Sequence, residues 1–272
     1  MRPHLHSLAA WALVASTGDL TGVLAANSSG CGKEPTITDG PHTAVANGKT
    51  REFIIKLPAN YDKNRPYRLI FTFHPLNGSA RQVANGDSST EPFYGLPPVS
   101  NNSAIFVSPN GQVAGSVGGM MGWANAGGED VLFVDAIMEK IEAALCINQD
   151  LRFSTGFSYG GAISYALASL GGGPKSPIAF YQQHGTGDQV LPISGARQVR
   201  DILLRANGCT PVTPEVTPNG ATSTQVVYKG CKEGFPATWV VFNGPHTPAY
   251  ADAGSVKPIG GPNFWNFLSQ FE

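Results

Sequence analysis

The sequence predicts an α/β sandwich with a largely parallel central sheet. Short apolar runs, typical of strands buried on both faces, alternate along the chain with segments whose apolar residues recur every three or four positions. Turns rich in glycine and proline separate these segments, and the 272 residues include 33 Gly and 21 Pro spread without a period. This alternation is typical of parallel sheets covered by helices.

Three strands are predicted in the first half of the chain. Residues 53–57 alternate between apolar and polar, as expected for a half-buried strand. Tyr67–Phe73 and residues 104–107 are almost continuously apolar, which indicates strands inside a sheet. Residues 74–102 are rich in Gly, Ser, Asn and Pro and are predicted to form a long loop.

The second half of the chain alternates helices with strands. From Asp130 to Leu145 the apolar residues are spaced by three or four positions, which predicts one face of an amphipathic helix. The other predicted elements are a strand at 151–155, a helix at 160–170, a strand at 178–181, a helix at 196–206 and a strand at 239–242. This order predicts one layered domain, which we expect to span residues 27–272.

The charge balance bears on the class of partner. The chain has 18 Lys and Arg against 19 Asp and Glu, a net charge of -1, and only 14% of its residues are charged. Nucleic acids and anionic membranes attract basic surfaces, so we expect neither as a partner. After residue 30 no apolar run approaches the ~18 residues that a membrane span needs. We expect a monomer.

The N-terminus has the layout of a secretory signal. A basic start precedes an apolar run at residues 8–15, which is too short to cross a bilayer. We therefore predict that residues 1–26 form a signal and that the protein is secreted. Cleavage after Ala15 and cleavage around residues 25–26 both suit the small residues found there, and a soluble N-terminal helix is the alternative reading.

Two further features agree with export. The four cysteines are compatible with two disulfides. Cys209 and Cys231 flank one short hairpin-like stretch, which makes them the preferred pair, and Cys31–Cys146 follows by elimination. The cysteines lack metal-ligand spacing and the histidines are not clustered, so we expect no metal and no other cofactor. Sequons for N-glycosylation begin at Asn27, Asn77 and Asn101.

The most specific motif is Gly156-Phe157-Ser158-Tyr159-Gly160. It lies between a predicted strand and a predicted helix, the context in which G-x-S-x-G forms a tight turn that exposes a serine. The turn sets Ser158 at a helix N-terminus, where the backbone N–H of Tyr159 can stabilise an oxyanion. The motif therefore predicts Ser158 as a nucleophile and Tyr159 as one oxyanion donor.

A serine nucleophile needs a base, and the base needs an acid that orients it. His246 follows the last predicted strand, in a turn that would project it from the sheet edge. Asp188 follows the strand at 178–181, whereas its rival Asp201 lies inside an amphipathic helix, where a solvated position is the simpler explanation. The chain order Ser, Asp, His is that of hydrolases with this motif.

A second oxyanion donor is expected after the strand Tyr67–Phe73, where such sites carry it. We assign this role to the backbone N–H of Leu76. We expect His74 to shape the loop, with a packed side chain of no catalytic meaning as the alternative. His184 is expected to hydrogen-bond within its own turn rather than to react.

Taken together, these motifs resemble those of fungal feruloyl esterases of the type related to polyhydroxybutyrate depolymerases and acetylxylan esterases. The resemblance covers about residues 31–272 and implies an α/β-hydrolase fold that hydrolyses esters joining ferulic or similar acids to plant arabinoxylan. It implies the same roles for Ser158, Asp188 and His246. The matching stretches are YRLIFTFHPLNG (67–78), AIFVSPNG (104–111), GGED (127–130), LRFSTGFSYGG (151–161), PIAFYQQHGTGDQVLP (177–192) and GPHTP (244–248).

One departure from the family's pattern concerns the sheet. Relatives are expected to carry a further strand and loop, with two more cysteines, between the nucleophile helix and the strand leading to the acid. Here only 30 residues separate Ser158 from Asp188, enough for one helix and one strand. We therefore expect an interior strand to be missing. Either the neighbouring strands close the gap, or the chain folds poorly and is catalytically dead; an aberrant splice would produce the same junction.

Substrate selectivity is expected to lie in the loops. Trp123, Phe93 and Tyr94 are candidates to stack on an aromatic acyl group, with ordinary loop anchoring as the alternative for each. The motifs do not separate feruloyl esters from other esters, so an acetylxylan esterase or a polyester depolymerase is the alternative function.

Overall fold

The computed structural model describes residues 27–88, 90–115, 118–170, 176–220, 222–247, 252 and 260–272. The predicted signal at 1–26 and the junction at 171–175 lie outside these residues. The strands are β1 Gly40–Ala46, β2 Lys49–Lys56, β3 Tyr67–Phe73, β4 Ala104–Pro109, β5 Gln112–Ala114, β6 Met120–Gly122, β7 Ile147–Gly156, β8 Phe180–Gly185, β9 Thr224–Val227 and β10 Ala237–Phe242. The helices are α1 Ala80–Asn85, α2 Leu96–Val99, α3 Glu129–Ala144, α4 Tyr159–Leu170, α5 Ile193–Asn207 and α6 Gly261–Leu268.

Five strands form one sheet in the order β1-β2-β4-β3-β7. β3 runs parallel to both of its neighbours, β4 and β7, whereas β2 is antiparallel to β1 and to β4. β8, β10 and β9 form a second sheet, in which β10 is parallel to β8 and antiparallel to β9. β4 and β10, which are apolar runs, are buried along their whole length, as expected for strands covered on both faces.

Within the described part of the chain no strand joins the two sheets. Among the described residues β7 pairs only with β3, and β8 pairs only with β10. The predicted α/β sandwich is therefore present, and its described strands fall into two sheets, which agrees with the prediction that an interior strand is missing between β7 and β8. The alternative that neighbouring strands close the gap is wrong for these residues. Helix α4 contributes Ile163 to the core of the first sheet and Tyr165 to that of the second, so this helix packs on both sheets.

Helices cover the sheets because side chains alternate along each strand. Leu69, Phe71 and Phe73 of β3 pack in one core with α3, whereas Ile70 faces the opposite core, which contains side chains of α1, α2 and α6. Trp239 of β10 packs in a third core with α5. The result is a layered arrangement in which both faces of the first sheet are apolar and covered.

Some elements differ from those that the sequence patterns predict. Helices α1 and α2 lie in the predicted loop at 74–102, and with six and four residues they are too short to show a helical period. The strand predicted at 178–181 is β8, displaced towards Gly185. Asn207 explains the shift, because its side chain hydrogen-bonds both the N–H and the carbonyl oxygen of Ile178 and removes them from strand pairing.

Both predicted disulfides are present. Cys31–Cys146 ties the N-terminal end of the described chain to the start of β7, and Cys209–Cys231 ties the end of α5 to the turn before β10. Of the helices described above, none combines the length and the apolarity that a membrane span requires.

Candidate active site

A strained turn between β7 and α4 presents Ser158. Its φ of 55° lies in the left-handed region, which is unfavourable for a residue with a side chain and is held by the surrounding structure. Two glycines make the turn possible. A Cβ on Gly160 would collide with the carbonyl oxygen of Phe73, and a Cβ on Gly156 would collide with the backbone of Gly160. Only glycine fits at both positions of the motif.

Three side chains from separate loops meet at this turn. The Nε2 atom of His246 lies 2.8 Å from Oγ of Ser158, and its Nδ1 atom lies 2.7 Å from Oδ2 of Asp188. An ionised Asp188 accepts a hydrogen bond, so Nδ1 carries the proton and Nε2 is left to accept the hydroxyl proton of Ser158. The structure thus brings together the three residues that the sequence predicts, in the order serine, imidazole, carboxylate.

The carboxylate of Asp188 is almost fully buried, with 6% of the residue exposed. Burial raises its pKa, but hydrogen bonds from His246 and from the N–H groups of Leu191 and Val190 outweigh burial and hold the pKa below its ordinary value. Asp188 therefore stays ionised near neutral pH. His184 bonds within its turn, as expected: its Nε2 atom lies 2.8 Å from the carbonyl oxygen of Leu191 and also 3.3 Å from Oδ2 of Asp188.

A buried histidine shapes the loop that carries Leu76. His74 is fully buried; its Nδ1–H donates to the carbonyl oxygen of Pro75 at 2.7 Å, and its Nε2 accepts the N–H of Gly111 at 2.9 Å. This pair of hydrogen bonds requires a neutral ring, and burial lowers the pKa of His74 accordingly. Trp123 donates its Nε1–H to the carbonyl oxygen of His74 at 2.9 Å. The loop is therefore fixed from two directions.

The candidate oxyanion donors are the backbone N–H groups of Tyr159 and Leu76. Tyr159 is the first residue of α4, and Leu76 lies in the loop after β3. Among the described residues neither N–H has a backbone hydrogen-bond partner. The next residue along the loop, Asn77, donates its N–H to the carbonyl oxygen of Met121 at 2.7 Å, which fixes the loop against β6. The two free N–H groups are available to negative charge.

The expectation that Trp123 and Phe93 stack on substrate is wrong. Both are buried, with 3% and 2% exposure, because each ring fills a core: Trp123 lies edge-on to Phe73, and Phe93 packs against Phe106. Tyr94 is also anchored, since its hydroxyl donates to the carbonyl oxygen of Phe73 at 2.6 Å. The anchoring alternative therefore holds for all three, and Tyr94 supports the end of β3 beneath the nucleophile turn.

Two apolar side chains on the loops that carry the site are exposed, and the sequence motifs give neither side chain a role. Leu76 is 39% exposed and Leu191, three residues after Asp188, is 44% exposed. A Cβ on Gly122 would lie 2.7 Å from the ring of Tyr159 and 3.2 Å from the side chain of Leu76, so this glycine lets both side chains lie close to β6. The only sequence signal for Gly122 is a glycine in front of Trp123.

The three sequon asparagines, Asn27, Asn77 and Asn101, are all exposed. Their side chains are therefore accessible, and their glycosylation stays a prediction. Within the described ranges no group of three or more His, Cys, Asp or Glu side chains could hold a metal ion.

Known proteins similar to this chain include feruloyl esterases. No protein-family model matches it. The chain is 44% identical to Feruloyl esterase D of Neurospora crassa, with 91% of each chain covered. It is 40% identical to Feruloyl esterase C of Emericella nidulans, with 88% of this chain and 90% of the relative covered. Among solved structures, a CE1 ferulic acid esterase from Anaeromyces mucronatus in complex with ferulic acid is similar in fold, with a TM-score of 0.55, 16% identity, and 85% and 89% of the two chains covered.

The alignments leave some residues of these two relatives without a counterpart in this chain. The one with the Neurospora protein runs over 272 positions but covers 91% of the 272 residues of this chain, so roughly 24 residues of that relative have no counterpart here. The same comparison with the Emericella protein, over 257 positions and 88% of this chain, leaves roughly 18.

Proposed function

The chain belongs to the family of fungal feruloyl esterases, and from this premise we propose that it is a secreted esterase that releases ferulic and related hydroxycinnamic acids from plant cell-wall arabinoxylan. The observation that carries the proposal is the pair of hydrogen bonds of His246, at 2.8 Å to Ser158 and 2.7 Å to Asp188. This arrangement is what a serine needs in order to attack an ester carbonyl.

The reaction proceeds through an acyl-enzyme. His246 takes the proton of the Ser158 hydroxyl while Oγ attacks the ester carbonyl carbon, and the N–H groups of Tyr159 and Leu76 stabilise the oxyanion that forms. The intermediate collapses, the C–O bond to the sugar breaks, and the sugar oxygen leaves with the proton held by His246. Water then attacks the acyl-enzyme with the same proton transfers, releasing the free acid and restoring Ser158. Asp188 stabilises the imidazolium at both stages.

The rim of the site supports an aromatic acyl group. The side chains of Leu76 and Tyr159 both lie against Gly122, and Tyr159 is next to the nucleophile in the chain; together they offer apolar surface on which a hydroxycinnamoyl ring packs. A ring held there positions its carbonyl near the N–H groups of the same two residues. A short acetyl group would leave this surface empty, which is why we favour a feruloyl ester over an acetyl ester.

Secretion is supported by the predicted leader and by the two disulfides, because disulfides persist in oxidising compartments. N-terminal sequencing of protein recovered from culture medium tests this part of the proposal. We expect a mature chain that begins after Ala15 or around residues 25–26. Recovery of the chain only from cells, with its leader intact, would contradict it.

The activity is tested with methyl ferulate and a short aliphatic ester under identical conditions. We expect purified protein to prefer methyl ferulate, and Ser158→Ala to lower kcat by roughly 10⁵–10⁶-fold with an unchanged circular dichroism spectrum. A fluorophosphonate should label the parent chain and leave the variant unlabelled. Preference for the aliphatic ester would favour the alternative esterases. Absence of labelling and of a cooperative thermal transition would identify a catalytically dead chain.

A further inference from the structure

The hydroxyl of Tyr94 lies between the two segments that build the reaction centre. It donates to the carbonyl oxygen of Phe73 at 2.6 Å, and it accepts the N–H of Phe157 at 3.4 Å. Phe73 ends β3, ahead of the loop that carries Leu76, whereas Phe157 directly precedes Ser158. One oxygen atom therefore contacts both the strand that leads to an oxyanion donor and the turn that presents the nucleophile.

Phe157 connects the Tyr94 hydroxyl with the base as well as with the nucleophile. Its ring centroid lies 5.0 Å from that of His246, and its backbone continues directly into Ser158. Burial raises the pKa of Tyr94, so near neutral pH the hydroxyl keeps the proton that it donates to Phe73. A displacement of Phe157 would therefore move the serine and disturb the packing of the imidazole together.

The turn that supplies Tyr94 is strained. Phe93 and Tyr94 have φ values of 48° and 57°, in the left-handed region that is unfavourable for residues with side chains. Such conformations persist only where the surrounding structure holds them, and they concentrate at functional sites. Here the ring of Phe93 packs on Phe106 in the core, while the next residue directs its hydroxyl to the end of β3. The strain thus accompanies a contact with the reaction centre.

Helix α6 packs against the same turn. A Cβ on Gly261, the first residue of α6, would lie 2.9 Å from the carbonyl oxygen of Tyr94 and 3.0 Å from that of Gly95. Both neighbours are backbone atoms, so a side chain at this position would force the turn and the helix apart. The absence of a side chain at Gly261 lets α6 hold the backbone from which the Tyr94 hydroxyl extends.

We propose that Tyr94 is a positioning residue for the reaction: its hydroxyl, held in place by α6, fixes Ser158 relative to the oxyanion donor Leu76. Oxyanion donors act only at hydrogen-bond distance from the charge that develops, and a misplacement of about 1 Å can cost ~10²-fold in rate. Without the hydroxyl, Phe73 and Phe157 lose their shared partner and the turn can shift against the loop. The inference rests on the proposed esterase function, because its readout is the reactivity of Ser158.

Tyr94→Phe removes one oxygen atom and keeps the ring. We expect kcat on methyl ferulate to fall by roughly 10–100-fold with less than about a twofold change in KM, because the change affects the attacking group and not the binding surface. The rate of labelling by a fluorophosphonate should fall by a similar factor. Labelling needs no feruloyl group, so a loss in this assay reports on Ser158 and not on substrate binding.

Tyr61→Phe is the matched control. The Tyr61 hydroxyl accepts the N–H of Cys146 at 2.6 Å, just before the opposite end of β7, so the variant loses the same kind of hydrogen bond away from the site. We expect both variants to lower Tm by a similar amount, ~2–4 °C, since each leaves one backbone group without its partner. Only Tyr94→Phe should lower kcat and the labelling rate.

Gly261→Ala tests the same contact from α6 and keeps the Tyr94 hydroxyl. We expect kcat to fall by roughly 3–10-fold, with no further loss when Gly261→Ala is combined with Tyr94→Phe, because both act through the hydroxyl. Losses that multiply in the double variant would overturn the proposal, as would equal labelling rates in the parent and Tyr94→Phe, or equal losses of kcat in Tyr94→Phe and Tyr61→Phe. A parent chain that is not labelled at all would instead overturn the proposed function, and this inference with it.

Discussion

Replacing His74 by phenylalanine tests how the loop of the oxyanion site is held. Phenylalanine keeps a ring of similar size against Trp123, whose ring centroid lies 4.7 Å from that of His74. It removes the donor that bonds the carbonyl oxygen of Pro75 and the acceptor that bonds the N–H of Gly111. The substitution therefore changes hydrogen bonding at a site with no access to water, and little else.

The size of the effect follows from these contacts. Each buried group left without its partner costs ~1–3 kcal/mol, and the apolar ring offsets part of the sum, so we expect the free energy of unfolding to fall by about 2–4 kcal/mol. Loss of a backbone oxyanion donor costs ~10²–10³ in rate, and a displaced Leu76 N–H loses part of this. We expect kcat to fall by ~10–10³-fold with little change in KM, because the oxyanion forms only in the transition state.

The pH dependence of the free energy of unfolding provides an independent test of the burial of His74. Burial lowers the pKa of His74 below its ordinary 6.5, so between the lowered value and pH 6.5 the unfolded chain binds a proton that the folded chain does not. This group therefore makes the parent less stable as pH falls below 6.5. His74→Phe removes the contribution, and the difference in stability between parent and variant should narrow as the pH is lowered through this range.

Urea unfolding monitored by circular dichroism at several pH values, together with steady-state kinetics on methyl ferulate, measures both effects. His42→Phe is the matched control: it makes the same change in β1, at the far edge of the sheet from β7, where the histidine bonds only the carbonyl oxygen of Thr38 among the described residues. We expect the control to alter stability by less than ~1 kcal/mol. If His74→Phe has the same free energy of unfolding and the same kcat as the parent, the loop is held by other contacts and this reasoning is refuted.

Two further predictions concern the acid and a buried ion pair. Asp188→Asn should keep the fold but lower kcat by ~10³–10⁴-fold, because the neutral amide no longer holds the His246 proton on Nδ1; a fall below tenfold would argue against its orienting role. Arg51→Met should lower the free energy of unfolding, measured in urea, by ~3–5 kcal/mol. The reason is that it leaves the buried carboxylate of Asp130, which is 1% exposed and lies 2.7 Å from Arg51, without its cation. Lys49→Met, which breaks the exposed ion pair with Glu129, should lower the free energy of unfolding by no more than ~1 kcal/mol. Equal losses of stability in the two variants would contradict the expectation that the buried ion pair matters more than the exposed one.

Local patterns predicted the elements of the site well. The nucleophile turn is encoded within five residues, because the glycines at 156 and 160 are required by collisions with nearby backbone. Helix α3 follows its apolar spacing, with Val134, Ile137 and Ile141 buried as predicted. The order of Ser158, Asp188 and His246 along the chain also pointed to the residues that meet in space.

The three aromatic candidates show what local sequence patterns do not predict. Trp123, Phe93 and Tyr94 lie in loops, and an apolar ring in a loop has no period that reveals whether it faces substrate or fills the core. Their surroundings come from β3 and β4, which are distant in sequence, and those contacts bury the rings of Trp123 and Phe93 and bond the hydroxyl of Tyr94. Gly122 and Gly111 were missed for the same reason.

The amino-acid sequence by itself determined the longer helices and the buried strands around the site, where the serine is presented, and that only 30 residues separate Ser158 from Asp188. Only the tertiary structure decided that β7 and β8 are not paired with each other among the described residues, that both His74 and Trp123 hold the loop of Leu76, and that Ser28 lies on the outer edge of β7. The physical reason is that the spacing of apolar residues reflects which face of each helix or strand is buried. Which strands pair, and which loops meet, depends on contacts between residues that are distant in the sequence.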